Sequence, residues 1–173
     1  MVSKTRLRRR CTVYAAVLAG ALSATVPADQ KTVIGWLSSV EISSQSVTMV
    51  AKVDTGADTS SVHADHVRVT EEAGEAMVEF TLRGQDGSVR AFRRPLLRTA
   101  RVKTKTGGYQ ERPVVMLQLC VADKRRTMPV NLAQRAHFKY PLLLGRDFLD
   151  GYFVVDVSRE FVASPACPQK AIP

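Results

Sequence analysis

The chain has 173 residues, with 25 Lys and Arg against 16 Asp and Glu and a formal charge of +9. That length holds one domain plus a targeting segment. Lys4, Arg6, Arg8, Arg9 and Arg10 precede Asp29 and no acidic residue does, so the charge of residues 29–173 falls from +9 to +4. A mildly basic domain of this kind makes no case for nucleic-acid binding, which would need a basic stripe with interleaved aromatics.

The five cations form a basic leader, followed from Cys11 to Val26 by an apolar stretch rich in Ala, Val and Leu. Val26-Pro27-Ala28 leaves small residues where a signal peptidase reads. Residues 1–28 are therefore read as a signal peptide cleaved before Asp29, with an uncleaved N-terminal anchor as the alternative. The expected location is periplasmic or secreted, and residues 29–173 form the domain.

Beyond the leader the pattern is all-β. Residues 32–40 and 46–53 are rich in β-branched residues and lack a helical period. Met77 to Leu82 alternates apolar with polar, the mark of a strand with one wet face. Gly84-Gln85-Asp86-Gly87 is a turn, and Val89 to Arg94 returns as its partner. Val102 to Pro113 reads as a second hairpin, tipped by Gly107-Gly108. Val114 to Cys120 is a buried strand and Thr127 to Leu132 a further one, although Asn131 to Ala136 suits the start of a helical turn equally. Pro141 to Gly145 is apolar, Arg146 to Asp150 suits one short helix, and Phe153 to Val157 closes the domain. Many short strands joined by Gly-rich turns predict a small barrel or sandwich.

Two cysteines follow the leader, Cys120 and Cys167. In an oxidising compartment they can pair and pin the C-terminal tail to a strand; a buried Cys120 beside a loose Cys167 is the alternative. The cluster Arg90, Arg93, Arg94, Arg98, Arg101, Lys103 and Lys105 fits either solvated strand faces or a groove for an acidic substrate or surface. His63-Ala64-Asp65-His66 has the spacing i, i+3 with no Glu between, unlike the i, i+4 pair of metalloprotease helices. These are read as surface or turn histidines, and neither a metal nor another cofactor is expected. Gly-x-Ser-x-Gly and phosphate-cradling Gly loops are absent from the sequence.

The segment that carries chemistry is Val53-Asp54-Thr55-Gly56-Ala57-Asp58, a strand running directly into Asp-Thr-Gly. A Gly-Gly hairpin follows about 50 residues later, then Leu142-Leu143-Leu144-Gly145-Arg146-Asp147. In this order the parts resemble the retropepsin-like aspartic proteases. Asp54-Thr55-Gly56-Ala57, His63-Ala64, Arg112-Pro113-Val114-Val115 and Tyr140-Pro141-Leu142-Leu143-Leu144-Gly145-Arg146 look most like the bacterial family formerly labelled ATP-dependent zinc proteases. The resemblance covers about residues 33–158. Asp58 departs from that family, many of whose members carry a basic residue there, and makes the loop more retroviral in character.

The resemblance implies an all-β, closed retropepsin barrel with one short C-terminal helix and one lobe per chain. It implies catalysis by Asp54 in the Asp54-Thr55-Gly56 loop. Two carboxylates sharing one proton are needed, because like charges so close cannot both ionise. One Asp-Thr-Gly per chain then implies a homodimer with the site on its two-fold axis. Thr55 would bond across that axis and Gly56 would permit close approach. Ala57, Asp58 and Arg146 would bind substrate, with Asp58 and Arg146 paired, and Gly107 and Gly108 would close over it as a flap. The substrate would be a peptide or isopeptide. A retropepsin-fold module that binds peptides without cutting them, or regulates a membrane-associated partner, is the alternative.

Overall fold

The computed structural model describes residues 30–42, 44–103 and 107–167; the leader, and with it the signal-peptide reading, lies outside them. The strands are β1 (Thr32–Ile42), β2 (Val47–Val53), β3 (Ser61–His63), β4 (Asp65–Glu72), β5 (Glu75–Arg83), β6 (Val89–Pro95), β7 (Arg98–Lys103), β8 (Tyr109–Val121), β9 (Lys124–Ala133), β10 (Leu142–Leu144) and β11 (Phe153–Glu160). One helical turn, α1 (Arg146–Leu149), separates the last two. Among the described residues no helix is long and apolar enough to cross a membrane.

Alternation decides which side chains form the core. Along β2, Val47, Met49, Ala51 and Val53 are buried, while Lys52 is exposed. In β10, Leu142 and Leu144 are buried and Leu143 is partly exposed. These side chains join Ile34, Val40, Ile42, Val62, Leu117, Leu119, Val130, Leu132 and Phe148 in one apolar cluster. The phase set by Val53 has a chemical consequence: Lys52 and Asp54, two residues apart, share the opposite face.

Eight strands form the main sheet in the order β11-β1-β2-β10-β3-β9-β8-β7, and β4-β5-β6 form a second sheet. The expected closed barrel is corrected here. β1 returns to β8 through only two residue pairs, Glu41↔Cys120 and Ile42↔Leu119, while β7 and β11 end the strand order as edges. The sheet curls strongly without closing into a clear barrel. In the smaller sheet Phe80 pairs with Phe92 across the strands, their rings stacked 5.3 Å apart.

The expected strands are present, with two differences. The strand from Val114 and the second arm of the Gly107-Gly108 hairpin are one 13-residue strand, β8. It pairs with β7 from Arg98↔Val114 to Lys103↔Tyr109. Asn131 continues β9 as far as Ala133 and does not begin a helical turn, because Asn131, Leu132 and Ala133 pair in parallel with Ser61, Val62 and His63. β4 escaped the sequence pattern because most of its side chains are exposed, leaving little apolar alternation to detect.

Cys120 and Cys167 form a disulfide, which resolves the alternative in favour of a pinned tail. The Ala166 N–H donates to Ala122 O at 2.6 Å, and Arg125 Nη2 donates to Cys167 O at 2.9 Å. A cross-link spanning 47 residues removes unfolded-chain entropy worth about 4 kcal/mol in the chain-entropy description. Cys167→Ser is expected to lower the unfolding free energy by about 2–4 kcal/mol. Urea titrations with and without reductant check this, since reductant should destabilise the parent and leave the variant unchanged.

Candidate active site

Asp54 lies immediately beyond β2, where its N–H donates to Leu144 O of β10 at 2.9 Å. β10 runs parallel to β2 and antiparallel to β3, so it is seated between the two strands that flank residues 54–60. The loop turns at once: Ala57 N–H donates to Asp54 O at 3.2 Å, and Gly56 N–H donates to Asp54 Oδ1 at 3.0 Å. A Cβ at Gly56 would sit 3.2 Å from that same oxygen, which explains a glycine there. Asp54 Oδ2 faces Lys52 Nζ at 3.8 Å, and the carboxylate remains 30% exposed. A polarisable carboxylate, held by one backbone donor and open to an incoming group, is the result.

The rest of the loop is strapped to the start of α1. Arg146 N–H donates to Ala57 O at 2.8 Å and Asp147 N–H to Asp58 O at 3.2 Å. Ser60, fully buried, ties three segments together. Its N–H and O–H donate to the two Asp147 carboxylate oxygens at 3.0 and 2.7 Å, and its Oγ accepts Gly145 N–H at 3.0 Å. The Asn131 side-chain amide donates to Thr59 Oγ1 at 2.9 Å and to Ser60 O at 3.1 Å. Gly145 is required by contact: a Cβ there would lie 2.7 Å from Thr59 C and 2.8 Å from its oxygen.

The structure brings Arg146 onto Asp58 as an ion pair, and Arg146 Nη1 also donates to Thr55 O at 3.0 Å. Both partners are exposed, so the pair shapes the loop more than it stabilises the fold; exposed pairs contribute roughly 0–1 kcal/mol. Asp54, Thr55, Gly56, Ala57, Asp58 and Arg146 thus form one neighbourhood. Gly107 and Gly108 stand apart at the β7–β8 turn, with φ of +85° and +95°, values that suit glycine and a tight reversal.

Several residues of this neighbourhood were not singled out from sequence. Lys52 was detectable by strand parity alone. Ser60, Asn131 and Asp147 give no local signal, because their partners are distant in the chain. Arg135 has no motif to mark it, and Arg112 is marked only as part of the Arg112-Pro113-Val114-Val115 motif, without a site role. Burial lowers the Arg135 pKa, repulsion from Arg112 lowers it further, and the Asp54 carboxylate opposes both. Burial likewise lowers that of Arg112, whose Nε and Nη2 donate to Gln110 Oε1 at 3.0 and 2.8 Å. Among the described residues neither arginine forms an ion pair. Both guanidinium groups are partly desolvated and carry like charge, so each is a cation whose field is only partly screened by water.

His63 corrects the expectation of a surface histidine. It ends β3, is mostly enclosed, and contacts Asp65 Oδ1 through Nε2 at 3.3 Å. His66 lies in β4, with Nδ1 3.3 Å from Thr81 Oγ1. A cleft of about 760 Å³ is lined by Trp36, His63, Asp65, Arg135, Phe138 and Tyr140, among others. Another of about 650 Å³ is lined by Thr55, Arg126, Arg146 and Asp147 among others. Asp54 lines neither cleft and lies beside residues of both.

A family model described as RimB-like, retropepsin-like aspartic endopeptidase RimB, matches residues 33–166. A Legionella pneumophila protein of unknown function (Lpg0085, DUF785) superposes with a TM-score of 0.65 at 34% identity, over 77% of this chain and 98% of that one. A Shewanella halifaxensis protein named probable alpha-L-glutamate ligase is 29% identical over 114 residues, 64% of this chain and 25% of that protein. The Desulfotalea psychrophila protein of the same name is 29% identical over 109 residues, 61% of this chain and 24% of its own length. The chain therefore spans about a quarter of the length of these curated relatives.

Ser60→Ala would leave the buried Gly145 N–H without its acceptor. The expected cost is about 1–3 kcal/mol, measurable by thermal or urea unfolding. Accelerated amide exchange confined to residues 54–60 and 145–149 would identify this knot as the part that loosens.

Proposed function

The chain belongs to the RimB-like family of retropepsin-like aspartic endopeptidases, and on that premise we propose that it is a homodimeric aspartic peptidase acting on acidic peptides. The single observation that carries the reading is Asp54 on its braced loop, with an oxygen open to an incoming group. In a two-fold dimer, Asp54 of each subunit would contribute one carboxylate to a shared pair. The ionised member takes a proton from water as that water attacks the scissile carbonyl carbon. The protonated member donates to the carbonyl oxygen, and the resulting tetrahedral species collapses with proton delivery to the leaving amine. The pair titrates as a unit, and activity is expected at acidic to neutral pH.

Thr55 and Gly56 would face the partner's loop, Ala57, Asp58 and Arg146 would line the peptide's path, and the Gly107-Gly108 hairpin would cover it. Preference for acidic side chains, glutamate above all, is supported by Arg135, a partly desolvated cation that lines the cleft with His63 and senses the charges of both Asp54 and Arg112. The name of the ligase relatives points to the same chemistry. Export to the periplasm is supported by the composition of residues 1–28 and by the Cys120–Cys167 disulfide.

A second reading has one observation in its favour: the relatives named as ligases match this chain over only a quarter of their length. A module of this fold could there hold an acidic chain without cutting it, or serve a membrane-associated partner. Asp54→Asn separates the readings. Against a peptide library with mass-spectrometric readout, a peptidase loses cleavage by at least about a hundredfold while still binding. Cleavage that survives the substitution defeats the dyad mechanism, and binding with no cleavage by the parent protein favours the second reading. Sedimentation of residues 29–173 should give a dimer at high micromolar concentration; a strict monomer, even with bound peptide, counts against a shared site. Arg135→Gln is expected to raise KM for a glutamate-rich peptide about tenfold or more, the worth of one charge-assisted hydrogen bond. The glutamine-substituted peptide should be affected much less.

A further inference from the structure

We propose that His63 is a positioning residue that sets where Arg135 stands in the cleft that both residues line, and through it the preference for acidic side chains; this rests on the function proposed above. The main chain at His63 is fixed by its neighbours. His63 N–H donates to Pro141 O at 2.7 Å, and the next amide, Ala64 N–H, donates to Ala133 O at 3.2 Å. Arg135, by contrast, lies beyond the end of β9, where strand pairing no longer dictates the backbone.

The bond that takes over is made by the side chain of His63. Its Nδ1 accepts the Arg135 backbone N–H at 2.9 Å, while Nε2 faces Asp65 Oδ1 at 3.3 Å. Nδ1 also lies 3.4 Å from Ala133 O, but the shorter Arg135 contact and the Asp65 contact are satisfied together by the ring with its proton on Nε2, since Nδ1 then presents a lone pair and Asp65 receives a donor. Asp65 therefore selects the tautomer and His63 holds the arginine's main chain. From that anchor the Arg135 side chain donates Nη1 to Ser61 Oγ at 3.3 Å. Its guanidinium lies 4.4 Å from the Phe138 ring centroid. Phe138 is itself folded back by its N–H donating to Arg135 O at 2.8 Å. Ser61 and His63 sit two residues apart on β3, so one strand fixes both the main chain and the side chain of Arg135.

His63 touches no reacting atom, so its removal should change the affinity for an acidic side chain and not the chemical step. The test compares His63→Leu, which deletes the acceptor, with His63→Asn, whose side-chain oxygen replaces Nδ1. Amide exchange of residues 134–138 should accelerate in His63→Leu and stay near the parent rate in His63→Asn. In an Asp54→Asn background, the Kd for a glutamate-rich peptide should rise about tenfold in His63→Leu and less than about twofold in His63→Asn. Binding of the glutamine-substituted peptide should not change. In the cleavage-competent protein the same contrast should appear in KM, with kcat within about twofold. Equal behaviour of the two substitutions overturns the proposal, as does equal loss of binding for both peptides or the absence of peptide binding in the parent. Exchange and binding as expected, with no cleavage by the parent, uphold the role of His63 and defeat the peptidase reading alone.

Discussion

Everything at the site depends on the buried hydrogen-bond knot at Ser60. A hydroxyl in a dry interior must find partners, and Ser60 finds two on the single stretch that opens α1: the Asp147 carboxylate and the Gly145 N–H. Those bonds hold the residue 54–60 loop against the first turn of α1. The Asp54 carboxylate contributes only one hydrogen bond to the loop, accepted from Gly56 N–H. The division of labour is physically sensible. A carboxylate that held the fold together would have its lone pairs committed, whereas here Asp147 carries the structural burden and Asp54 keeps an oxygen available.

The electrostatic setting follows from strand geometry rather than from any dedicated binding element. Lys52 shares a face with Asp54 because β-strand side chains alternate. Arg112 comes from β8, in register with Ala100 of β7, and Arg135 from the turn beyond β9. Three cations are thus contributed by β2, β8 and the turn beyond β9. Two of them are partly desolvated arginines whose charges oppose each other, an arrangement that a bound carboxylate would relieve. Arg146, by contrast, already has Asp58 as its partner. The distinction separates the cation that shapes the loop from the two arginines that form no ion pair among the described residues.

The disulfide and the incomplete closure of the sheet are connected. β1 meets β8 over two residue pairs only, one of which includes Cys120. The same cysteine is bonded to Cys167, so the tail is fastened at a seam where strand pairing is short. The cross-link joins β8 to the tail that follows β11, the strand paired with β1, and so spans the seam covalently without adding to the sheet's regular pairing.

Much of this was legible in the amino-acid sequence. The alternation of Val47, Met49, Ala51 and Val53 specified a strand with one buried face and placed Asp54 on the other. Gly107-Gly108 specified a reversal, and the apolar run into Gly145 and Arg146 specified a strand followed by a helical turn. The Asp58–Arg146 pair was also foreseeable from the resemblance. Other features waited for the tertiary structure: β4, whose exposed face leaves almost no apolar period, the open seam between β1 and β8, and the choice between a paired and a loose Cys167. The Ser60–Asp147 knot and the grip of His63 on the Arg135 backbone belong with these. The reason is the range of the interactions. Periodicity and turn chemistry are properties of neighbouring residues, so they are written along the chain. Which distant side chains meet depends on strand order and register, above all on β10 being seated between β2 and β3, and only the folded sheet decides that.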